Sequence, residues 1–561
     1  MRHLVLSTLS IALLAACAHK VAEEPAEASA DAALESIEVT GSVLDAQGAA
    51  RLKRAEVAAS PPMVGMPAPL PPPPLVQAQP NTENYAAFDD NRIVRTAEQP
   101  VSTFSIDVDT GSYSNVRRML ARGQLPPKDA VRVEEMINYF DYGYPGPASR
   151  DTPFRVTTAL APAPWDGKRV LMQVGIQGYD VERNEIPPSN LVFLVDTSGS
   201  MATPDKLPLL KESFRQLVPR LRAQDRVTLV VYAGSAGLVL PPTPGDRHGE
   251  ILDALGRLEA GGSTNGGEGI DLAYAMAKQA FIEGGVNRIV LATDGDFNVG
   301  IYDQRALETK VEDGRKAGIA LTTLGFGEGN YNEALAEKLA DVGDGNHAYI
   351  DTLMEGRKVL VEEMSSTLLT IASDVKIQVE FNPAQVAEYR LVGYENRQLA
   401  REDFNNDQVD AGEIGAGHDV TALYELCLVG AGCESSDPLR YAPATAGAPA
   451  GGPELAFLKL RYKQPGTERS VLMERPVTRR ELQAQAPESL RFAAAVAAYA
   501  DLLRGGRNMK GFGWDQVEAL ARDARGDDPW GYRGEFLRLV AQARSLSAAS
   551  PADGGAQVNE E

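Results

Sequence analysis

Residues Leu191-Val192-Phe193-Leu194-Val195-Asp196-Thr197-Ser198-Gly199-Ser200-Met201 decide how the rest of this chain is read. Five consecutive apolar residues, with valines and a phenylalanine among them, suit a strand buried on both faces. The run stops at an acid, two hydroxyls and a glycine, the composition of a tight turn at a strand's carboxyl end. Further apolar runs at 227–232, 289–292 and 320–326 predict companion strands. Stretches of helical period at 207–221, 251–258, 269–281, 305–317 and 333–339 lie between or after them. Buried strands alternating with amphipathic helices imply an α/β fold, a Rossmann-like doubly wound parallel sheet with ligand sites beyond the carboxyl ends of its strands.

Two more loops fall on that same edge. One reads Gly261-Gly262-Ser263-Thr264-Asn265-Gly266-Gly267, the other Thr293-Asp294-Gly295-Asp296-Phe297-Asn298. Hard oxygen donors arriving from separate strand ends suit Mg²⁺, which binds oxygen octahedrally at about 2.0–2.1 Å and keeps positions for water or ligand.

Asp196-x-Ser198-x-Ser200 with a distant Thr264 and a distant Asp294 resembles the metal-ion-dependent adhesion site (MIDAS) of von Willebrand factor type A domains, with all five positions filled. Outside the sheet, Ser105-Ile106-Asp107-Val108-Asp109-Thr110-Gly111-Ser112-Tyr113 and Asp403-Phe404-Asn405-Asn406-Asp407 are similar to the bacterial A-domain lipoproteins of the YfbK type. The resemblance implies a bound Mg²⁺, with Mn²⁺ or Ca²⁺ as substitutes. It implies that the hydroxyls contact the ion directly while carboxylates act through water. An ion so incompletely neutralised stays electrophilic toward a Glu or Asp from an unidentified partner protein. Asp296 and Glu268 are near enough in sequence to hold those ligands from behind.

Composition narrows the functional classes. The 561 residues carry 55 Lys+Arg against 77 Asp+Glu, a net charge of −22, which argues against nucleic acid as a partner and against a polybasic membrane patch. Three cysteines are too few for a disulfide scaffold, and five histidines leave little material for histidine chemistry. Arg2 and His3 precede an apolar run over 4–16 that ends Leu14-Ala15-Ala16-Cys17, which reads as a secretory signal. The cysteine after small residues resembles a bacterial lipobox, so residues 1–17 are expected to be a lipoprotein signal peptide with lipidation at Cys17. Ala18 is compatible, by family analogy, with the outer membrane of a Gram-negative cell envelope. The membrane is then a partner through the lipid anchor.

Residues 18–84 are expected to be a disordered Ala/Pro-rich linker, with nine prolines among the twenty residues 61–80 favouring an extended, semi-rigid spacer. Period-two and helical patterns over 85–188 predict an N-terminal α+β module. The A domain spans 189–374, its last helix expected at 354–372. Alternation at Val375, Ile377, Val379 and Phe381, and again at Ala456, Leu458, Leu460 and Tyr462, predicts a β-rich domain over 375–475. A helical region is expected at 476–547 and a disordered tail at 548–561.

Weaker signals remain. Asp403 to Glu413 carries oxygen donors with Ca²⁺-loop spacing, but Gln408 stands where that loop needs glycine and Ile414 where it needs glutamate, so a polar turn is favoured. Cys427 and Cys433 bracket a flexible span that could close a small loop as a disulfide in an oxidising compartment. Trp514, Trp530 and Tyr532 are expected in core or interdomain packing. The expected function is a membrane-anchored, non-enzymatic protein-binding module. One alternative is an envelope scaffold whose flanking domains bind. A second is a hydrolase using Ser198 or Ser200, but Asp196 stands where Gly-x-Ser-x-Gly needs its first glycine, and His248, His347 and His418 lack a recognisable context.

Overall fold

A computed structural model describes residue 83 and residues 85–549, apart from 107, 234, 263–265, 296–303, 329–331, 410, 436–451 and 468. Cys17, the 18–82 part of the linker and the tail from 550 lie outside the described residues.

The central domain is a six-stranded sheet. In chain order its strands are β1 (Ser189–Asp196), β2 (Arg226–Tyr232), β3 (Ala236–Pro244), β4 (Val286–Thr293), β5 (Ala320–Phe326) and β6 (His347–Ile350). They lie side by side as β6-β5-β4-β1-β2-β3. The first five in that order run parallel, as expected. The expectation of a purely parallel sheet fails at β3, which doubles back on β2 as an antiparallel edge. Helices α1 (Leu207–Leu217), α2 (His248–Gly256), α3 (Gly266–Gln279), α4 (Gln304–Lys316) and α5 (Glu333–Val342) cover both faces.

Alternation along β1 divides the core. Leu191, Phe193 and Val195 pack with Leu210 and Phe214 of α1 and Ile251 of α2, while Val192 and Leu194 pack with Ile270 and Tyr274 of α3 and Val311 of α4. Phe193 and Phe214 meet at 4.4 Å between ring centroids. Fully burying a side chain of this size contributes about 1.5–3 kcal/mol, which is why a run that is apolar on both faces must be central. Gly269 is where α3 comes closest to the sheet: a Cβ there would sit 2.7 Å from Tyr232 Cβ.

The flanks depart from the expected division into separate modules. Strands Phe154–Ala163 and Asp166–Gly178 from the first flank join Val386–Val392 and Asp419–Leu428 from the second, in one sheet completed by Val94–Arg95. In the other flanking sheet Val101–Ser105 pairs with Thr370–Phe381, whose remaining neighbours are Glu454–Lys463 and Ile414–Gly415. Ser470–Thr478 forms the edge beyond Glu454–Lys463. Leu160, Met172 and Val174 of the first sheet share a core with Ile377, Val379 and Leu458 of the second. The first sheet's other face, with Ala161, Leu171 and Leu423, packs on the helices Gly111–Ala121, Val133–Asn138, Glu488–Leu503, Trp514–Asp523 and Tyr532–Ala549. The proposed modules 85–188 and 375–475 are thus halves of one β-sheet body with a helical layer, and the central domain is inserted between them. The expected 354–372 helix is also corrected: it breaks into Leu353–Arg357, a wider turn over Lys358–Glu362 and Met364–Leu368, and strand begins at Thr370.

Insertion protects an edge. Helix Gly111–Ala121 lies along β6, with Ser114 Oγ donating to Tyr349 O at 2.6 Å, and the His347 N–H donates to Asp109 Oδ1 at 2.8 Å. An uncovered edge strand would offer its backbone to other chains.

Candidate metal centre

The parallel register brings the strand ends level. Val195 pairs with Ala292 and Thr293 with Gly325, so Asp196, Asp294 and Gly327 all emerge on the carboxyl edge of the sheet. Asp196 is the last residue of β1 and is fully buried. Its Oδ1 accepts the Ser198 N–H at 2.8 Å, the short turn that an acid two residues before a serine allows. Ser198 is buried and Ser200, on the 3₁₀ turn Gly199–Ala202, is exposed; their hydroxyl oxygens are 2.9 Å apart.

Among the described residues, the second loop closes on the first through its backbone. The Gly261 N–H donates to Thr197 O at 2.8 Å and the Gly199 N–H to Gly262 O at 3.1 Å. Gly262 has φ +88°, a left-handed conformation that favours glycine, and it aims its carbonyl at the Asp196 turn. Thr264, two residues on, lies outside the described residues, as does Asp296. Glu268 is exposed on the first turn of α3.

Asp294 follows β4 and is fully buried. Its Oδ2 accepts from Lys206 Nζ at 2.8 Å, in an ion pair whose side chains are 7% and 0% exposed. Lys206 is not among the residues that the sequence motif points to. Its signal is slight, a single lysine in the turn Thr203-Pro204-Asp205-Lys206 just before an apolar helix.

Electrostatics mark Asp196 as the unsettled member. Burial pushes its carboxyl up from 3.8 to about 6; the Ser198 N–H and hydroxyl oppose the rise, and the neighbouring Asp294 charge adds to it. Asp196 Oδ2 is buried and makes no well-formed hydrogen bond, although the buried Tyr232 hydroxyl faces the carboxyl and pulls its pKa down. An orphaned oxygen of this kind costs about 1–3 kcal/mol, and native proteins retain one where an ion or water completes it. The oxygens of the Asp196 turn fit a small hard cation, whereas Asp294 Oδ2 is already held by Lys206 Nζ. Two hydroxyl oxygens 2.9 Å apart match the spacing of adjacent ligands in an octahedron with bonds of about 2.0–2.1 Å. Asp196 Oδ2 supplies an unsatisfied charged oxygen beside them.

Other candidates settle differently. Ser198 Oγ is engaged with Ser200, and His347 opens β6 at the opposite edge of the sheet, hydrogen-bonded through Nδ1 to Thr323 Oγ1 at 2.9 Å. His248 begins α2 and His418 lies in the flanking body, so no described histidine adjoins Ser198 as a base. Cys427 and Cys433 are joined as a disulfide with their Cα atoms 5.7 Å apart. In the 403–413 turn, Lys376 Nζ donates to Asn406 O, Lys463 Nζ to Asp407 O and Ser470 Oγ to Asp407 Oδ1. Asp407 Oδ1, the side-chain oxygen at the fifth loop position, is thus taken by Ser470 rather than left for a Ca²⁺. Trp514 packs on Tyr499, and Trp530 sits under Arg357 at 4.7 Å, a contact between the helical layer and the central domain.

Comparison with known proteins agrees with this architecture. Residues 190–363 match the von Willebrand factor type A domain model, 366–546 match the model described as uncharacterized protein YfbK, C-terminal, and 79–173 match one described as von Willebrand factor. The uncharacterized protein YfbK of Escherichia coli strain K12 is 50% identical over 481 residues, covering 84% of this chain and 83% of its own. The magnesium-chelatase 60 kDa subunit of Rhodobacter capsulatus is 30% identical over 182 residues, 30% of this chain and 32% of that subunit. Among solved structures, a von Willebrand factor type A protein from Catenulispora acidiphila aligns over 74% of this chain and 93% of its own, at 16% identity and a TM-score of 0.40.

Proposed function

The chain belongs to the YfbK family of von Willebrand factor type A domain proteins, and from that premise we propose that it is a non-enzymatic, metal-dependent protein-binding module tethered to a bacterial membrane. The observation that carries the reading is the orphaned Asp196 Oδ2 beside the paired hydroxyls of Ser198 and Ser200, at the edge where Asp294 also emerges.

Asp196, Ser198 and Ser200 would hold a Mg²⁺, with Thr264 and Asp294 completing the set, and Mn²⁺ or Ca²⁺ could substitute. Such an ion supplies Lewis acidity toward a carboxylate, here used for adhesion. The residues prepare that role in specific ways. Asp196 Oδ1 is spent on the Ser198 N–H, which fixes the direction of Oδ2. Ser200 is exposed and Ser198 is not, so the niche opens on the Ser200 side. A Glu or Asp of a partner protein would approach from there. The glycine-rich loop at 261–262 holds the Asp196 turn by two backbone bonds. Lipidation at Cys17 and the proline-rich linker would hold the folded body off an outer membrane.

Crosslinking in cells, followed by identification of captured proteins with and without EDTA and in Asp196→Ala, tests this reading. Captured partners should be lost in both treatments while the protein stays folded. Retention of every partner in both would remove it. Cys17→Ser should release the protein from membranes. A scaffold role predicts a different pattern: chelation lowers the melting temperature, as it also does for a binding module, but partner capture is unchanged by EDTA and by Asp196→Ala.

A further inference from the structure

Lys206 is placed with more care than a surface lysine needs. It precedes α1, its backbone N–H bonds Thr203 O at 3.1 Å, and its side chain is almost wholly buried. The aliphatic stem crosses Gly327, the residue after β5: a Cβ there would fall 2.2 to 2.7 Å from three of the stem carbons. Gly327 also has φ +71°. Only glycine leaves room for the stem, so the end of β5 is shaped to deliver Nζ to Asp294. Burying an ammonium is costly unless it meets an opposite charge, and Asp294 meets it at 2.8 Å.

We infer that Lys206 is a built-in counter-charge that keeps a metal at this centre weakly held and electrophilic; the inference rests on the metal reading above. The charge count gives the reason. Among the described residues, Asp196 and Asp294 bring two negative charges, and Lys206 sets one positive charge against them. A divalent ion seated there therefore keeps one positive charge in excess, which an anionic ligand, a carboxylate, can neutralise. Without Lys206 the two carboxylates alone would neutralise the ion, and the pull on an incoming acid would fall. Cation–cation repulsion across a few ångströms in a buried site also weakens metal binding itself. Lys206 thus sets the partner chemistry as acidic and makes retention of the metal depend on that acidic ligand.

The test uses the full chain, with Mn²⁺ followed by electron paramagnetic resonance and acetate as the carboxylate probe. Lys206→Met should bind Mn²⁺ about tenfold more tightly than the natural chain, and Lys206→Arg should restore the weaker binding. Acetate should tighten Mn²⁺ binding in the natural chain and in Lys206→Arg, and much less in Lys206→Met. Binding by Lys206→Met alone, with none in the natural chain, would support the inference in its strongest form. Equal or weaker Mn²⁺ binding in a folded Lys206→Met would overturn it and leave the metal reading standing. Absence of Mn²⁺ binding in every variant, or binding unchanged by Asp196→Ala, would overturn the metal reading and this inference together.

Discussion

Arg117 Nη2 donates to Glu355 Oε2 at 2.7 Å, a buried ion pair between a flanking helix and the helix Leu353–Arg357 at the end of the central domain. The same guanidinium reaches Asp351 Oδ2 at 2.7 Å through Nε and Glu535 Oε2, on the C-terminal helix, at 2.8 Å through Nη1. Tyr139 Oη donates to Glu355 Oε2 at 2.7 Å as well. One side chain therefore ties together three regions distant in sequence.

Arg117→Met should destabilise the protein by about 3–5 kcal/mol, because it takes from Asp351, Glu355 and Glu535 the guanidinium that binds all three, leaving only Lys358 near Glu355. Urea unfolding of the full chain reads this as a lower midpoint. A change below about 1 kcal/mol, the worth of an exposed pair, would show that the network contributes little to cohesion.

Saturating Mg²⁺ should stabilise the natural chain. At a hundredfold excess over the dissociation constant the gain is about 2.7 kcal/mol, or several degrees in melting temperature. EDTA should reverse it, and Asp196→Ala should show no response to Mg²⁺. Thermal melts with and without the ion decide the matter.

Glu333, at the start of α5, is 1% exposed, and neither of its carboxyl oxygens has a hydrogen-bond partner. Burial pushes its carboxyl from 4.5 up to about 8 against the pull of Arg132, whose Nε is 4.0 Å away. A raised carboxyl pKa means that the folded state holds the proton more tightly than the unfolded chain. The stability it contributes is full below pH 4.5 and is lost as pH rises through about 8. Glu333→Gln should remove that slope and be more stable than the natural chain above pH 8 by at least about 1 kcal/mol. Urea midpoints across that range provide the measurement.

The Cys427–Cys433 bond closes a short loop next to strand Asp419–Leu428. Chain-entropy arguments give about 2 kcal/mol for a loop of this size, so a Cys427→Ala, Cys433→Ala double variant should lose that much stability. Reductant should lower the melting temperature of the natural chain by a similar margin and leave the double variant unmoved.

Gly269→Ala should destabilise by about 1–3 kcal/mol, because its methyl would meet Tyr232 Cβ at 2.7 Å and force α3 off the sheet. Tyr232 O accepts the Thr197 N–H at 3.0 Å, so a shift there reaches the Asp196 turn. The variant should respond less to Mg²⁺ than the natural chain in the same melts.

The sequence by itself determined the central layer and placed the candidate donors of the Asp196 turn at its edge. Runs such as 191–195 and 289–292 are apolar on both faces, a pattern only a covered sheet satisfies, and Asp196, Ser198 and Ser200 share one turn, so their proximity is local. Strands β3 and β6 escaped notice because β3 is an antiparallel edge with polar and half-buried positions and β6 has four residues. Tertiary structure alone decided the flanks: Asp166–Gly178 pairs with Asp419–Leu428 across some 250 residues, and nothing in either run names its partner. It alone decided the charge of the candidate metal niche too. Lys206 meets Asp294 only because α1, β4 and the end of β5 converge, and the sign and burial of a contact between residues 88 apart follow from how layers pack. Local pattern records which face of an element is buried, whereas which faces meet is fixed by the free energy of the whole assembled core.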